Sequence, residues 1–196
     1  ADTRLYCDHG YKNHGLNIKC NNHNSYLAKS LNVVEALTFS CNAFFIEAGL
    51  DKLDVEYMKQ YCEGLGLGQS TGIELPEKTG QLAYDDTELS LYNQASSYIG
   101  QSIHQFTPLQ ITSYVSTLAN GGTRYAAHLL HSVRTFSGEV VYTSEKTVLS
   151  TVEISSNNLN TIKLGMKNMV DNSSTVSWNM YREYEIDAIV CGKSGT

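Results

Sequence analysis

One stretch sets the local architecture of this chain: Asn32-Val33-Val34-Glu35-Ala36-Leu37-Thr38-Phe39-Ser40-Cys41-Asn42-Ala43-Phe44-Phe45. Asn32, with Glu35 three residues later, is the pattern of a helix N-terminus and predicts a short helix that ends near Ser40. A second amphipathic helix is predicted to begin with Asn42 at or near its cap. The triplet Ser40-Cys41-Asn42 therefore falls in a tight turn, where a hydroxyl and a carboxamide can share one side.

A second polar motif closes the sequence: Lys193-Ser194-Gly195-Thr196. It follows a short apolar run, residues 186–191, which predicts a buried strand. A lysine, two hydroxyls and a glycine at a strand end form a cationic edge that a substrate backbone can approach closely. Each motif also has an ordinary explanation, because Ser and Asn often cap helices and all four residue types are common where a strand turns into solvent.

Apolar periodicity and turn residues predict the remaining elements. Helices are expected at residues 51–65, from Pro108 to Gly121 and at 155–170, and two paired strands at 129–135 and 139–143. Thr107 is the expected N-cap of the helix at Pro108, whose apolar residues predict that it is buried. Helices accompanied by a few strands, without regular alternation, predict an α+β fold.

Composition limits the classes of function. The 196 residues are enough for one domain with a substantial core, and 41% of them are hydrophobic. The formal net charge is -6 and no run of Lys or Arg occurs, which argues against nucleic acid as a partner. The sequence contains no apolar stretch long enough to span a bilayer and no signal peptide. Both ends are interpreted as cuts, so residues 1–196 are expected to be part of one larger domain.

Five cysteines raise the questions of disulfides and metals. Cys7 and Cys20 bracket a glycine-containing loop, which favours a local disulfide in an extracytoplasmic protein or two free thiols. A zinc site would use the nearby histidines His9, His14 and His23. Their spacing matches none of the common zinc patterns well, so no metal is expected. Cys62 and Cys191 are expected to be small buried hydrophobic residues.

In this order, the two polar motifs resemble those of the penicillin-binding protein transpeptidase family. Further segments are similar to that family: Gly64-Leu65-Gly66-Leu67-Gly68 with Thr71-Gly72-Ile73-Glu74-Leu75-Pro76, Ile99-Gly100-Gln101-Ser102, and Thr107-Pro108-Leu109-Gln110 with Leu118-Ala119-Asn120-Gly121-Gly122. The resemblance runs from about Tyr6 to Thr196 and is closest to the monofunctional class B type. It implies a partial serine transpeptidase/β-lactamase-like α+β fold, in which a helical subdomain accompanies an incomplete antiparallel sheet that ends at the Lys193–Thr196 strand. One departure is Ser102, where the family usually has glycine.

The family's third motif, Ser-x-x-Lys with the nucleophilic serine, occurs nowhere in this sequence. The nearest imitation, Ser25-Tyr26-Leu27-Ala28-Lys29, has one residue too many. On a helix, Ser-x-x-Lys places the hydroxyl and the amine one turn apart on a single face, and an extra residue changes that geometry. The resemblance therefore implies a parent serine-type D,D-transpeptidase whose nucleophile lies outside this chain, and the chain alone is expected to be inactive.

The resemblance also implies a role for each retained residue. Ser40 would join the proton relay around the nucleophile, Asn42 would orient the substrate amide, and Lys193 would place positive charge beside the terminal carboxylate. Ser194, Gly195 and Thr196 would bind that carboxylate end of the substrate. No metal or organic cofactor is implied.

The partners implied by the resemblance are cell-wall stem peptides ending in D-Ala-D-Ala and the β-lactam antibiotics that mimic them. The parent protein would act on the extracytoplasmic face of the bacterial membrane, anchored by a segment outside this chain. A β-lactam sensor domain and a non-catalytic transpeptidase-like binding module remain alternatives. An incomplete sheet would also expose an unpaired edge through which two copies could pair.

Overall fold

The computed structural model describes residues 3–20, 30–172 and 188–195. They belong to two compact units, each with its own elements. The first unit draws on Ala1–Asp54, Glu88–Ser102 and Ser155–Thr196, and the second on Val55–Thr87 and Ile103–Ile154.

Six α-helices and eight short strands occur within these described ranges. The helices are α1 (Val33–Thr38), α2 (Asn42–Lys52), α3 (Val55–Gly64), α4 (Leu91–Ser97), α5 (Pro108–Ala119) and α6 (Ser156–Asp171). The strands are β1 (Leu5–Tyr6), β2 (Gly10–Tyr11), β3 (Ile18–Lys19), β4 (Ser30–Leu31), β5 (Thr123–Tyr125), β6 (Ser132–Arg134), β7 (Val140–Thr143) and β8 (Val148–Thr151). None of these helices has the length and hydropathy needed to cross a bilayer.

All described strands pair antiparallel, as two-stranded ribbons. The first unit contains β1 with β4 and β2 with β3, and the second contains β5 with β8 and β6 with β7. The α+β prediction is confirmed, and β6 and β7 form the hairpin predicted around Ser137-Gly138. Among the described residues the strands form four separate antiparallel pairs.

The predicted buried strand before Lys193 is wrong for the described residues. Residues 188–195 contain no strand, and the side chain of Ile189 is 78% exposed. A strand needs a ladder of hydrogen bonds to a neighbour, whereas here Gly192 N–H donates to Met166 O of α6 at 3.2 Å. The segment that carries Lys193 is therefore held by a helix. Residues 186 and 187 lie outside the described residues.

Helix α1 begins as the sequence predicts. The Asn32 side chain accepts from Glu35 N–H at 2.9 Å, and the Glu35 carboxylate accepts from Asn32 N–H at 2.8 Å, which completes a capping box. The next helix, α2, begins with Asn42 as its first residue and Cys41 as its N-cap. The third predicted helix starts at Val55 rather than at residue 51, because Leu53 is extended and separates it from α2.

The core of the first unit lies between α2 and the N-terminal strands. Its buried members are Leu5, Cys7, Tyr11, Leu31, Ala36, Cys41, Ala43, Phe44, Ile46 and Ala95. Helix α1 lies against α6, where a Cβ added at Gly165 would come within 2.7 Å of the Leu37 Cβ. A side chain at that position would separate the helices, so glycine permits the close approach.

Helix α5 of the second unit has the predicted boundaries but not the predicted burial. Thr107 and Gln110 form a capping box and Pro108 is the first helical residue. The apolar Ile111 and Val115 are 43% and 46% exposed, whereas Gln110 is fully buried. Its Nε2 donates to the carbonyls of residues 69 and 79, at 2.7 and 2.6 Å. These bonds compensate the cost of burying a carboxamide, and hydrophobic periodicity cannot detect them.

Candidate active site

Ser40 lies where the chain reverses after α1. Its φ is 53°, in the left-handed region, while Ser40 N–H donates to Leu37 O at 3.3 Å and Cys41 N–H donates to Ala36 O at 2.9 Å. These two bonds form a Schellman motif, in which the left-handed residue is most often glycine. A serine at this position costs conformational strain and places a hydroxyl group in the turn.

The Ser40 hydroxyl meets the lysine of the C-terminal motif. Lys193 Nζ donates to Ser40 Oγ at 2.7 Å, although 153 residues separate the two in sequence. The same ammonium group donates to Ser194 O at 3.0 Å and to Ser194 Oγ at 3.3 Å. Partial burial of the ammonium lowers the pKa of Lys193 below its usual value. The fold therefore brings both polar motifs together in the first unit.

Asn42 projects from the first turn of α2. Its Nδ2 donates to Lys19 O of β3 at 2.8 Å, which ties the start of the helix to the N-terminal strands. The N-cap of α2 is Cys41, which makes no capping hydrogen bond through its side chain. Neither Ser40 nor Asn42 is a side-chain N-cap of α1 or α2, so N-capping does not explain the triplet.

The remaining predicted site residues lie beside Lys193. Ser194 N–H donates to the Met169 sulfur of α6 at 3.3 Å, and Met169 is only 2% exposed. Gly195 is exposed, and a Cβ added there would meet nothing within 4 Å. The site thus contains Lys193 in direct contact with both Ser40 and Ser194. Thr196 lies outside the described residues.

Cys41, in the middle of the triplet, lies beside two cysteines that the sequence did not connect with it. Cys41 is buried, and its sulfur is 4.0 Å from that of Cys20, which is itself 3.7 Å from the sulfur of Cys7. No disulfide joins these three cysteines in the structure, and a Cys7–Cys20 disulfide stays a prediction. Burial, together with the neighbouring Cys20, raises the pKa of Cys7. The only signal of this cysteine cluster in the sequence was Cys41 itself, which lies between two polar residues at the predicted start of a helix.

The other two cysteines differ from each other. Cys191 is exposed, so the prediction that it is buried is wrong. This follows from the absence of a strand around residues 188–195, which leaves the segment on the surface of α6. Cys62 is half-buried, and burial raises its pKa to about 11.

A model of the penicillin-binding protein transpeptidase domain matches residues 1–196. The chain belongs to this family. Penicillin-binding protein 2B of Streptococcus pneumoniae is 25% identical to it over 88% of the chain, and the peptidoglycan D,D-transpeptidase MrdA of Acinetobacter baumannii is 27% identical over 52%. The solved structure of a penicillin-binding protein 2B from Streptococcus pneumoniae superimposes with a TM-score of 0.81 at 22% identity, covering 98% of this chain and 35% of the other. The chain spans 28% of the length of the first relative and 16% of the second.

Ser102 occupies a position where the backbone favours glycine, as the resemblance led us to expect. In this penicillin-binding transpeptidase chain Ser102 has a φ of 90°, a conformation that favours glycine. Its buried Oγ finds no hydrogen-bond partner among the residues that the structure describes. The departure from the family therefore carries a conformational cost and a desolvation cost, and it does not touch Ser40 or Lys193.

Proposed function

We propose that the protein carrying this chain is a serine-type peptidoglycan D,D-transpeptidase, and that this chain supplies the proton relay and the carboxylate-binding residues of its active site. The observation that carries the proposal is the 2.7 Å contact between Lys193 Nζ and Ser40 Oγ. Membership of the penicillin-binding transpeptidase family supports it, and so does a relative named as a peptidoglycan D,D-transpeptidase. Residues 1–196 are, on this proposal, part of one transpeptidase domain.

The nucleophile in this scheme is a serine in a Ser-x-x-Lys segment outside these 196 residues. It attacks the carbonyl carbon between the two D-alanines of a stem peptide, which forms an ester with the enzyme and releases the terminal D-alanine. The amine of a second stem peptide then attacks the ester, forms the cross-link and frees the serine. β-Lactams mimic the D-Ala-D-Ala end and remain at the ester stage.

Ser40 is suited to pass a proton to the leaving group. Because its oxygen accepts a hydrogen bond from Lys193, its own O–H proton can be donated onward to the departing amine. The lowered pKa of Lys193 makes the ammonium a stronger acid, which favours transfer of a replacement proton to Ser40. This direction of proton flow needs both groups in contact.

The other residues bind and position the substrate. Asn42 donates through Nδ2 to Lys19 O, so its Oδ1 can accept from the amide N–H of the substrate. Lys193 and the Ser194 hydroxyl, with Gly195 leaving space beside them, form a site for the terminal carboxylate, and Thr196 would add a second hydroxyl. The substrate and inhibitor classes are accordingly D-Ala-D-Ala stem peptides and β-lactams. The proposed place of action is the extracytoplasmic face of the membrane.

Acylation by a fluorescent penicillin tests the proposal on the protein at its natural length. Ser40→Ala and Lys193→Ala should each lower the second-order acylation rate constant about 100-fold, because each interrupts the relay. Matched controls are Ser156→Ala in α6 and Lys52→Ala in α2, two exposed positions away from the site, and both should acylate at the unaltered rate.

Two results would contradict the proposal. A Lys193→Ala protein that acylates at the unaltered rate would remove the role given to the Ser40–Lys193 contact. A natural-length protein that takes up no penicillin would exclude the activity itself. The 196-residue chain alone should not be labelled, because it contains no Ser-x-x-Lys, and covalent labelling of it would show that the nucleophile has been wrongly placed.

A further inference from the structure

Three thiols converge from distant parts of the first unit. Cys7 follows β1, Cys20 follows β3 and Cys41 is the N-cap of α2. Their sulfur atoms all lie within 4.8 Å of one another, and Cys7 and Cys41 are 3% and 0% exposed. Each of the three residues therefore offers one sulfur atom to a common point.

The spacing of the sulfurs matches a tetrahedral thiolate site. With zinc–sulfur bonds of about 2.3 Å, two thiolates of a tetrahedron lie about 3.8 Å apart. The observed separations are 3.7 Å for Cys7 with Cys20 and 4.0 Å for Cys20 with Cys41. A disulfide needs about 2.05 Å and would use two of the three sulfurs. One ion bound between the three sulfurs uses all of them without moving the backbone far.

Backbone N–H groups surround the same sulfurs. Ala43 N–H donates to Cys20 Sγ at 3.4 Å, Phe44 N–H faces the sulfur of Cys41, and Gly10 N–H faces that of Cys7. Two of these donors belong to the first turn of α2, whose N-terminus favours negative charge. Each of the three sulfurs therefore lies beside a backbone N–H from which a metal-bound thiolate can accept a hydrogen bond.

We propose that Cys7, Cys20 and Cys41 bind one zinc ion as thiolates, with a water molecule as the fourth ligand, each thiol releasing its proton to solvent on binding. Sulfur ligands in this geometry favour zinc over magnesium or calcium, which bind oxygen. The ion would fix the N-terminal β2–β3 hairpin to the Ser40–Asn42 turn, because Cys20 follows β3 and Cys41 lies between Ser40 and Asn42. Its role is structural, and it takes no part in the acyl transfer proposed above.

Metal analysis of the protein at its natural length, purified without chelator and under reducing conditions, tests the site. We expect about one zinc per chain by elemental mass spectrometry. Replacement by cobalt(II) should give a sulfur-to-cobalt charge-transfer band whose strength reports three thiolates. Cys20→Ser is the most informative variant, because Cys20 is the least buried of the three and its loss disturbs packing least. It should lose the stoichiometric zinc and most of the band.

The chain offers matched controls. Cys62→Ser and Cys191→Ser remove thiols that lie outside the cluster, and both should keep the metal. Far-ultraviolet circular dichroism establishes that each variant is folded. If Cys20→Ser fails to fold, the unaltered protein still provides a test, since a zinc chelator should lower its melting temperature and added zinc should restore it.

Four results would overturn the proposal. The first two are a purified protein that contains no metal and whose three thiols all react with a thiol reagent, and a Cys7–Cys20 disulfide in a non-reducing peptide map. The other two are another metal such as cuprous ion in the purified protein, and stoichiometric zinc retained by Cys20→Ser. The zinc content does not depend on whether the protein reacts with penicillin. The zinc site and the proposed transpeptidase activity can therefore fail separately.

Discussion

Ser40 allows the strain of the turn to be separated from its chemistry. The residue has a φ of 53° at the Schellman position that ends α1, and its hydroxyl accepts from Lys193. Ser40→Gly and Ser40→Ala both delete the hydroxyl, but only glycine adopts the left-handed conformation without cost. The difference between the two variants therefore isolates the backbone strain.

The expected magnitude follows from two opposing terms. A left-handed backbone costs a residue with a Cβ about 1–2 kcal/mol. Alanine gains about 0.4–1 kcal/mol over glycine because its unfolded chain has less conformational entropy. The first term is larger, so Ser40→Gly should be more stable than Ser40→Ala by about 1 kcal/mol. For a chain of this size that difference corresponds to about 2–4 °C in the melting temperature.

Thermal unfolding of the two variants under identical conditions measures the difference. A control pair at Ser116, an exposed position inside α5, should show the opposite order, with alanine above glycine by about 1 kcal/mol. Penicillin acylation of the natural-length variants should be reduced equally in Ser40→Gly and Ser40→Ala. If the alanine variant at position 40 is as stable as the glycine variant, the backbone of this turn is not strained and our explanation of its serine is wrong.

Three further predictions concern stability. Ser102→Gly should raise the free energy of unfolding, measured by chemical denaturation, by about 1–2 kcal/mol. The reason is that it removes a serine with left-handed backbone and a buried hydroxyl that has no partner among the described residues. An unchanged free energy of unfolding would contradict this explanation. Gly165→Ala should destabilise the chain by about 2 kcal/mol, because the new Cβ would clash with Leu37 of α1. This effect should exceed the higher helix propensity of alanine, so a rise in melting temperature would refute the packing argument. Burial opposes ionisation of Glu77, but hydrogen bonds from Ser70, Thr71 and the following N–H outweigh it and lower its pKa from 4.5 to about 2. Its stabilising contribution is therefore complete above about pH 4.5 and is lost as the pH falls towards 2, so urea unfolding of Glu77→Gln should lack this part of the acid dependence; identical pH profiles would exclude it.

Local signals were sufficient wherever the interaction spans only a few residues. The capping boxes that begin α1 and α5 join residues three apart, so the start of each helix can be predicted from the sequence. The pairs are Asn32 with Glu35 and Thr107 with Gln110. The hairpin of β6 and β7 follows from its turn in the same way. The motifs around Ser40 and Lys193 likewise pointed to the transpeptidase family, because their residue types and order are properties of the sequence.

Burial required the tertiary structure. Periodicity predicted that α5 would bury its apolar residues, whereas the buried position is Gln110, whose partners lie 31 and 41 residues away. The strand expected before Lys193 failed for a related reason, since Gly192 donates to a carbonyl of α6 rather than to a neighbouring strand. Hydrophobic periodicity indicates which side chains favour burial out of water. It does not indicate which distant hydrogen-bond partner will allow a polar side chain to be buried.

The sequence was enough to indicate the family of this chain, through the polar motifs at residues 40–42 and 193–196. Only the tertiary structure showed that Lys193 donates to Ser40 across 153 residues, and that Cys41 joins Cys7 and Cys20. Both results depend on packing, in one case of α6 against α1 and in the other of α2 against the N-terminal strands. Neighbouring residues determine a turn or a cap, whereas a contact between distant residues exists only when the whole unit has folded around it.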